Sequence, residues 1–93
     1  MEIPKYEKDG FTYNGYELTD DDLGNYVEIV INGSTYDDEK AYYDILKDNE
    51  FTIDDSKYDE YGYYVTNKED TYVINFFYDL NYYNALVIYV FKK

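Results

Sequence analysis

The segment Thr71–Phe91 reads TYVINFFYDLNYYNALVIYVF, and its two apolar runs decide the fold of this 93-residue chain. The runs Thr71–Tyr78 and Ala85–Phe91 are β-branched or aromatic almost throughout, which is typical of β-strands. In the second run the even-numbered and the odd-numbered residues are both apolar, so both faces of that strand would be apolar. Such a strand is predicted to lie in the interior of a sheet.

Weaker strand signals precede these two runs. Tyr26–Ile31 alternates so that Glu28 shares a face with Tyr26 and Val30, and Asn32-Gly33 then reverses the chain. Phe11–Leu18 contains Asn14-Gly15, a pair suited to a tight turn, and is predicted to be a short hairpin or one bent strand. Two further strands are predicted at Phe51–Ile53 and Tyr61–Thr66, with a charged loop at Asp54–Glu60 and a polar turn at Thr19–Gly24.

One substantial helix is predicted over Thr35–Asn49, with its body at about residues 36–49. Thr35 or Asp37 can cap its start, and acidic residues in its first turn suit the positive end of the helix dipole. Lys40 and Asp44 are spaced for an i,i+4 ion pair. The apolar stripe expected to face the sheet consists of Ala41, Tyr42, Ile45 and Leu46.

The predicted fold class is therefore α+β, a mainly antiparallel β-sheet with one principal α-helix packed on one face. A chain of 93 residues is expected to form a single domain, residues 1–93. The long apolar strands near its C-terminal end could leave a sheet edge open, so a monomer or a homodimer is expected.

The composition excludes several classes of function. The chain has no Cys, no His and no Arg, so the usual thiol nucleophile, imidazole base and arginine clamp are missing, and we predict that it is not an enzyme. The acidic run Asp20–Gly24 does not match a calcium-loop spacing, and neither a metal nor a cofactor is expected. No apolar run reaches the ~18 residues of a membrane span and no secretion signal is recognised, so the cytoplasm is the expected location.

Negative charge is the outstanding feature of the composition. Asp and Glu number 21 against 8 Lys, a formal net charge of −13. Residues 17–60 hold fifteen of the acids and only three lysines, whereas the rest of the chain is nearly balanced. This asymmetry favours a surface that docks a basic protein and disfavours direct binding to nucleic acid or to an anionic membrane. The alternative is an AT-rich codon bias combined with acidity that serves only solubility.

Tyrosines repeatedly lie beside these acids, and sixteen are too many to bury with their hydroxyl groups satisfied in so small a core. Tyr provides large contact area at low entropic cost and is common in protein interfaces. A partner-binding surface is therefore predicted from three acidic clusters and the tyrosines beside the last of them: Asp20, Asp21, Asp22, Asp37, Asp38, Glu39, Asp54, Asp55, Tyr58, Asp59, Glu60 and Tyr61.

Two resemblances bear on this prediction. The chain resembles a pattern of small bacterial and phage domains in three segments, Phe11–Leu18, Tyr26–Gly33 and Asp37–Leu46. This resemblance implies architecture only. In its small size and acidity the chain resembles the phage-encoded inhibitors of host defence, such as DNA-mimic anti-restriction and anti-CRISPR proteins. That resemblance implies inhibition of a nuclease at its DNA-binding or PAM-reading site in a bacterial cytoplasm, and it assigns no residue roles. An immunity or antitoxin-like protein that neutralises a basic toxin, and a phage accessory interaction module, are the alternatives.

Overall fold

The computed structural model describes residue 6 and residues 8–20, 24–59 and 62–92, with the backbone alone at residues 20 and 55–59. These residues form six strands and one helix, in an order close to the predicted one. The elements are β1 (Thr12–Asp20), β2 (Gly24–Asn32), α1 (Asp37–Asp48), β3 (Thr52–Asp59), β4 (Gly62–Thr66), β5 (Tyr72–Asp79) and β6 (Ala85–Lys92).

The six strands form one sheet in the order β1-β2-β6-β5-β4-β3, and all neighbours are antiparallel. After the β1–β2 hairpin, helix α1 carries the chain to the opposite edge of the sheet. Strands β3, β4, β5 and β6 then return as a meander, and β6 pairs with β2. The predicted fold class, α+β with a mainly antiparallel sheet and one helix, is confirmed.

Strand β6 lies in the interior of the sheet, as its two apolar faces predict. Its neighbours are β2 and β5, so neither of the C-terminal strands is an edge. The expectation of an open edge at these strands is therefore wrong, because the return of β6 against β2 completes its hydrogen bonding. The edges are β1 and β3, which contain polar and acidic residues.

Helix α1 covers one face of the sheet and forms the main core with it. Tyr42 and Leu46 are completely buried, and the Tyr42 ring meets the Phe76 ring edge-on at a centroid distance of 5.1 Å. The interior of β6 contributes Leu86 and Ile88 to the same cluster. The apolar stripe of the helix thus packs as its 3.6-residue spacing predicts.

The ends of the helix are close to the predicted ones. The helix is preceded by Tyr36, in place of the predicted cap residues Thr35 or Asp37, and Tyr36 has a helical backbone conformation and makes no side-chain capping bond. Instead the Asp38 carboxylate reaches back and accepts the Thr35 N–H at 2.6 Å. At the other end Asn49 donates from its side chain to the Ile45 carbonyl oxygen at 2.7 Å, so Asn49 ends the helix as expected.

Of the two alternatives predicted for Phe11–Leu18, the structure shows the single strand, because Asn14 and Gly15 lie inside β1 and pair with Val30 and Ile29 of β2. The predicted loop at Asp54–Glu60 is wrong for Asp54–Asp59, which continues β3 with an irregularity in its pairing with β4. In both places the pairing with a neighbouring strand overrides a local turn preference.

Gly62 begins β4 at a backbone φ of +91°, a conformation that favours glycine. A Cβ atom on Gly62 would overlap the Phe76 carbonyl oxygen and the Phe77 Cβ atom. Gly24, at the start of β2, also has a positive φ, of +77°, but no atom of the described residues is found within 4 Å of the same hypothetical atom. A side chain at Gly24 would therefore introduce backbone strain alone, whereas a side chain at Gly62 would introduce both strain and steric overlap.

We expect Gly62→Ala to lower the free energy of unfolding by about 3 kcal/mol or more, since backbone strain and overlap with β5 add. Gly24→Ala should cost only about 1 kcal/mol, since it introduces strain alone. Urea denaturation of the two variants, followed by circular dichroism, measures both. Equal losses of stability in the two variants would contradict the close packing of β4 on β5.

Candidate binding site

The second acidic cluster of the sequence is mostly inside the fold. Asp38 is only 3% exposed and Glu39 only 7%. Asp38 accepts hydrogen bonds from the Tyr6 hydroxyl, from the Thr35 N–H and from the Lys8 ammonium, the last at 3.2 Å. Glu39 accepts the Tyr78 N–H at 2.8 Å and so connects the helix to β5. These two carboxylates stabilise the fold, and the expectation that they line an exposed surface is corrected.

The pKa of Asp38 reflects this role. Burial alone would raise the pKa, but the hydrogen bonds from Tyr6, Thr35 and Lys8, with the charge of Lys8, outweigh burial and lower it. Tyr6 responds in the opposite sense, because burial and its hydrogen bond to Asp38 raise the pKa of its hydroxyl group. The ionised carboxylate is therefore the form that the fold stabilises.

The remaining predicted residues divide in two groups. Asp37 is exposed at the start of α1, and Asp54 is half-buried in β3. The described residues do not include Asp21, Asp22, Glu60 or Tyr61. The structure describes only the backbone of Asp20, Asp55, Tyr58 and Asp59. Partner contact by these residues remains a prediction.

The strand order decides how far apart the acidic clusters lie. Asp20 ends β1 at one edge of the sheet, next to Gly24. Asp59 ends β3 at the other edge, next to Gly62, and the antiparallel register places it at the opposite end of the strands. The two acidic connections therefore leave from diagonally opposite corners of a molecule whose extents are 32 × 30 × 25 Å. The described backbone positions at which these two connections begin are therefore not adjacent.

The face of the sheet opposite the helix carries a set of aromatic side chains that we call the aromatic face. Its rings pack on one another, with Tyr26 and Phe91 stacked at 5.0 Å and Phe77 and Tyr89 stacked at 6.0 Å between centroids. The small core cluster beneath it, built on Val30, Ala85 and Val87, contains no helix residue. The aromatic face consists of Tyr16, Tyr26, Phe77, Tyr89 and Phe91.

Glu28 lies in the middle of the aromatic face. It is directly opposite Tyr16 of β1 on one side and Tyr89 of β6 on the other. Only 8% of Glu28 is exposed, and its carboxylate accepts the Tyr83 hydroxyl at 2.8 Å. Tyr83 comes from the β5–β6 connection and is the described residue outside the strands that joins the packing on this face.

The phenol groups around Glu28 are held protonated. The hydrogen bond to Glu28, followed by burial, raises the pKa of Tyr83 to about 12. Burial is the main reason that the pKa of Tyr89 is raised, and a hydrogen bond to Glu28 adds to it. A protonated phenol donates its hydrogen bond to a carboxylate, as the Tyr83 hydroxyl does to Glu28.

Sequence reasoning did not single out Glu28 as a site residue. The signal was present, because the alternation in β2 places an acid between Tyr26 and Val30 on one face of an otherwise apolar strand. What the sequence could not show is that Tyr16, Tyr83 and Tyr89, from three other segments, meet at this position.

The structural role of Asp38 predicts a specific dependence on pH. A lowered pKa means that the carboxylate stabilises the fold fully above its unfolded pKa of about 3.9. That contribution is lost as the pH falls through the lower, folded pKa. We expect Asp38→Asn to reduce the free energy of unfolding at neutral pH by about 1–3 kcal/mol and to make it less sensitive to acid.

Urea denaturation of wild type and variant at neutral and at acidic pH provides the measurement. Asp37→Asn is the matched control. Asp37 is exposed, so this substitution should change the free energy of unfolding by less than about 0.5 kcal/mol. Wild-type stability in Asp38→Asn at neutral pH would refute the structural role of this carboxylate.

No helix among the described residues is long and apolar enough to cross a membrane. Comparison of the chain with models of protein families, with curated protein sequences and with solved structures gave no significant match. The candidate sites therefore rest on the geometry of this chain alone. They are the aromatic face with Glu28 and the acidic corners, by which we mean the two corners of the sheet where Asp20 ends β1 and Asp59 ends β3.

Proposed function

We propose that this chain is a small acidic binding protein that inhibits a nucleic-acid-binding enzyme by occupying its basic nucleic-acid site. A bacterial defence nuclease, such as a CRISPR effector or a restriction enzyme, is the class of target that fits this chemistry. The observation that carries the proposal is the net charge of −13, concentrated in residues 17–60. A rigid fold that displays carboxylates can compete with phosphates for the same Lys and Arg side chains.

Few of the acidic side chains that the structure describes are buried. Three of the 21 acidic side chains, Glu28, Asp38 and Glu39, are buried in the described part of the chain. Up to eighteen acids thus remain for the surface, beside eight lysines. Of those lysines, Lys40 and Lys68 already pair with acids on the protein's own surface. A net negative field therefore remains to steer a cationic partner.

The diagonal placement of the acidic corners supports a partner with a cleft. Asp20 and Asp59 end strands at opposite corners, so a partner must extend across the whole sheet to reach both clusters. A basic channel that encloses its ligand can reach both, and channels of this kind hold nucleic acids in many enzymes.

One observation favours a second candidate function. The aromatic face is an interaction surface that does not depend on net charge, and Tyr is common in protein interfaces. A regulatory or accessory module would bind through these rings, while its acids would serve only solubility and protect the edge strands. Immunity to a basic toxin shares the electrostatics of the main proposal and differs in the partner.

Salt dependence distinguishes these functions. We expect a partner retained from a bacterial lysate at ~50 mM salt to elute by ~500 mM, since exposed charges are screened over this range. The purified partner should bind duplex DNA, and the acidic protein should displace that DNA in a fluorescence anisotropy competition. A partner that does not bind nucleic acid, or that is held equally at all salt concentrations, would refute the proposal.

A pair of variants extends the same assay. Replacing Asp20, Asp21 and Asp22 together with Asn should weaken displacement of DNA at least about tenfold, since several steered contacts are lost. Tyr36→Ala removes an exposed ring and no charge, and is expected to displace DNA like wild type. Displacement of DNA by the triple variant at the wild-type level would contradict the docking role of this acidic cluster.

A further inference from the structure

The Glu28 carboxylate has no cationic partner among the residues that the structure describes. Ion pairs in the described part of the chain join Lys8 to Asp38, Lys40 to Asp44 and Lys68 to Glu50, and no described lysine reaches Glu28. Buried carboxylates are normally paired, because removing a charge from water is costly. The phenol donor Tyr83 compensates only partly, since it brings a hydrogen bond but no positive charge.

The carboxylate also keeps unused capacity for hydrogen bonds. An ionised carboxylate has about four acceptor sites, and the Tyr83 hydroxyl takes one of them. Tyr16, directly opposite Glu28 in the neighbouring strand, belongs to an edge strand and is 48% exposed. A ligand can therefore approach Glu28 from the side of Tyr16.

The surroundings of Glu28 have the composition of an aromatic cage. Tyr16, Tyr89 and Tyr26 are its neighbours across and along the strands, and the Tyr26 and Tyr89 rings lie 6.1 Å apart. The negative faces of aromatic rings attract ammonium and guanidinium groups, and the attraction grows when water is excluded. A carboxylate at the base of such rings adds a charge-assisted hydrogen bond.

We propose that the aromatic face binds one lysine or arginine side chain of a basic protein partner, with its cationic group at Glu28 and its stem across Tyr16 and Tyr26. This inference rests on the proposed function for the basic character of the partner. Charge complementarity selects the occupant, because a chain with a net charge of −13 and a carboxylate at this position repels acidic surfaces. The acidic corners would steer the partner, and the aromatic face would anchor one of its residues.

The test uses single cationic side chains in place of the unidentified partner. Isotope-labelled protein is titrated with Nα-acetyl-L-arginine amide and Nα-acetyl-L-lysine amide and followed by NMR, with neutral Nα-acetyl-L-glutamine amide as the control ligand. Saturable shifts are expected at Tyr16, Tyr26, Glu28 and Tyr89 with the cationic ligands alone. No saturable shift, equal shifts with the glutamine ligand, or shifts centred on exposed acids such as Asp37 would overturn the proposal.

Matched variants test the role of each group. Glu28→Gln should weaken binding of the arginine ligand at least about tenfold, while Glu17→Gln, an exposed acid on the same edge strand as Tyr16, should leave it unchanged. Tyr16→Ala should weaken it about threefold or more, with Tyr36→Ala, also an exposed tyrosine, as the control. Unchanged affinity in both Glu28→Gln and Tyr16→Ala would overturn the proposal.

The design separates this inference from the proposed function and from misfolding. Tyr16 is half-exposed on an edge strand, so Tyr16→Ala remains informative if Glu28→Gln fails to fold. The titration contains no partner enzyme, so the site can bind a cation even if no nucleic-acid-binding target exists. Conversely, a salt-sensitive partner that binds Glu28→Gln as tightly as wild type would support the function and refute this anchor.

Discussion

Strand β6 is apolar on both faces, and removing both faces from water requires a strand on each side and cover above and below. The pairing with β2 and β5 provides the two neighbouring strands. Helix α1 covers one face through Tyr42 and Leu46, and aromatic side chains cover the other. The crossover of α1 from β2 to β3 follows from this requirement, because it leaves the position beside β2 free for the last strand.

Strand β6 is covered in different ways on the two faces of the sheet, and this difference creates the candidate site at Glu28. On the helix side the side chains are packed to the density of a core, with Phe76 and Leu86 fully buried. On the other side Tyr and Phe rings lie against each other and keep one surface toward water. Tyrosine suits this position because its ring packs on apolar neighbours while its hydroxyl group finds a polar partner. Glu28 is such a partner.

The acids of this chain have two separate physical roles. Asp38 and Glu39 accept backbone and side-chain donors at the helix start and at β5, and so contribute to stability. The acids near the ends of the edge strands are placed where charge opposes edge-to-edge pairing. The same charge remains available to a basic partner, so protection of the edges and docking are compatible functions of one set of residues.

The sequence by itself determined the strands, the helix and the interior position of β6, because periodicity and apolar runs are local properties. It also determined the excess of negative charge. Only the tertiary structure decided which acids are buried, since Asp37, Asp38 and Glu39 are alike in sequence and differ in the direction of their side chains. Only the strand order decided that Asp20 and Asp59 end at opposite corners and that Tyr16, Glu28, Tyr83 and Tyr89 meet. Such meetings depend on contacts between residues far apart in the chain, and these contacts leave no periodic signal in a single sequence.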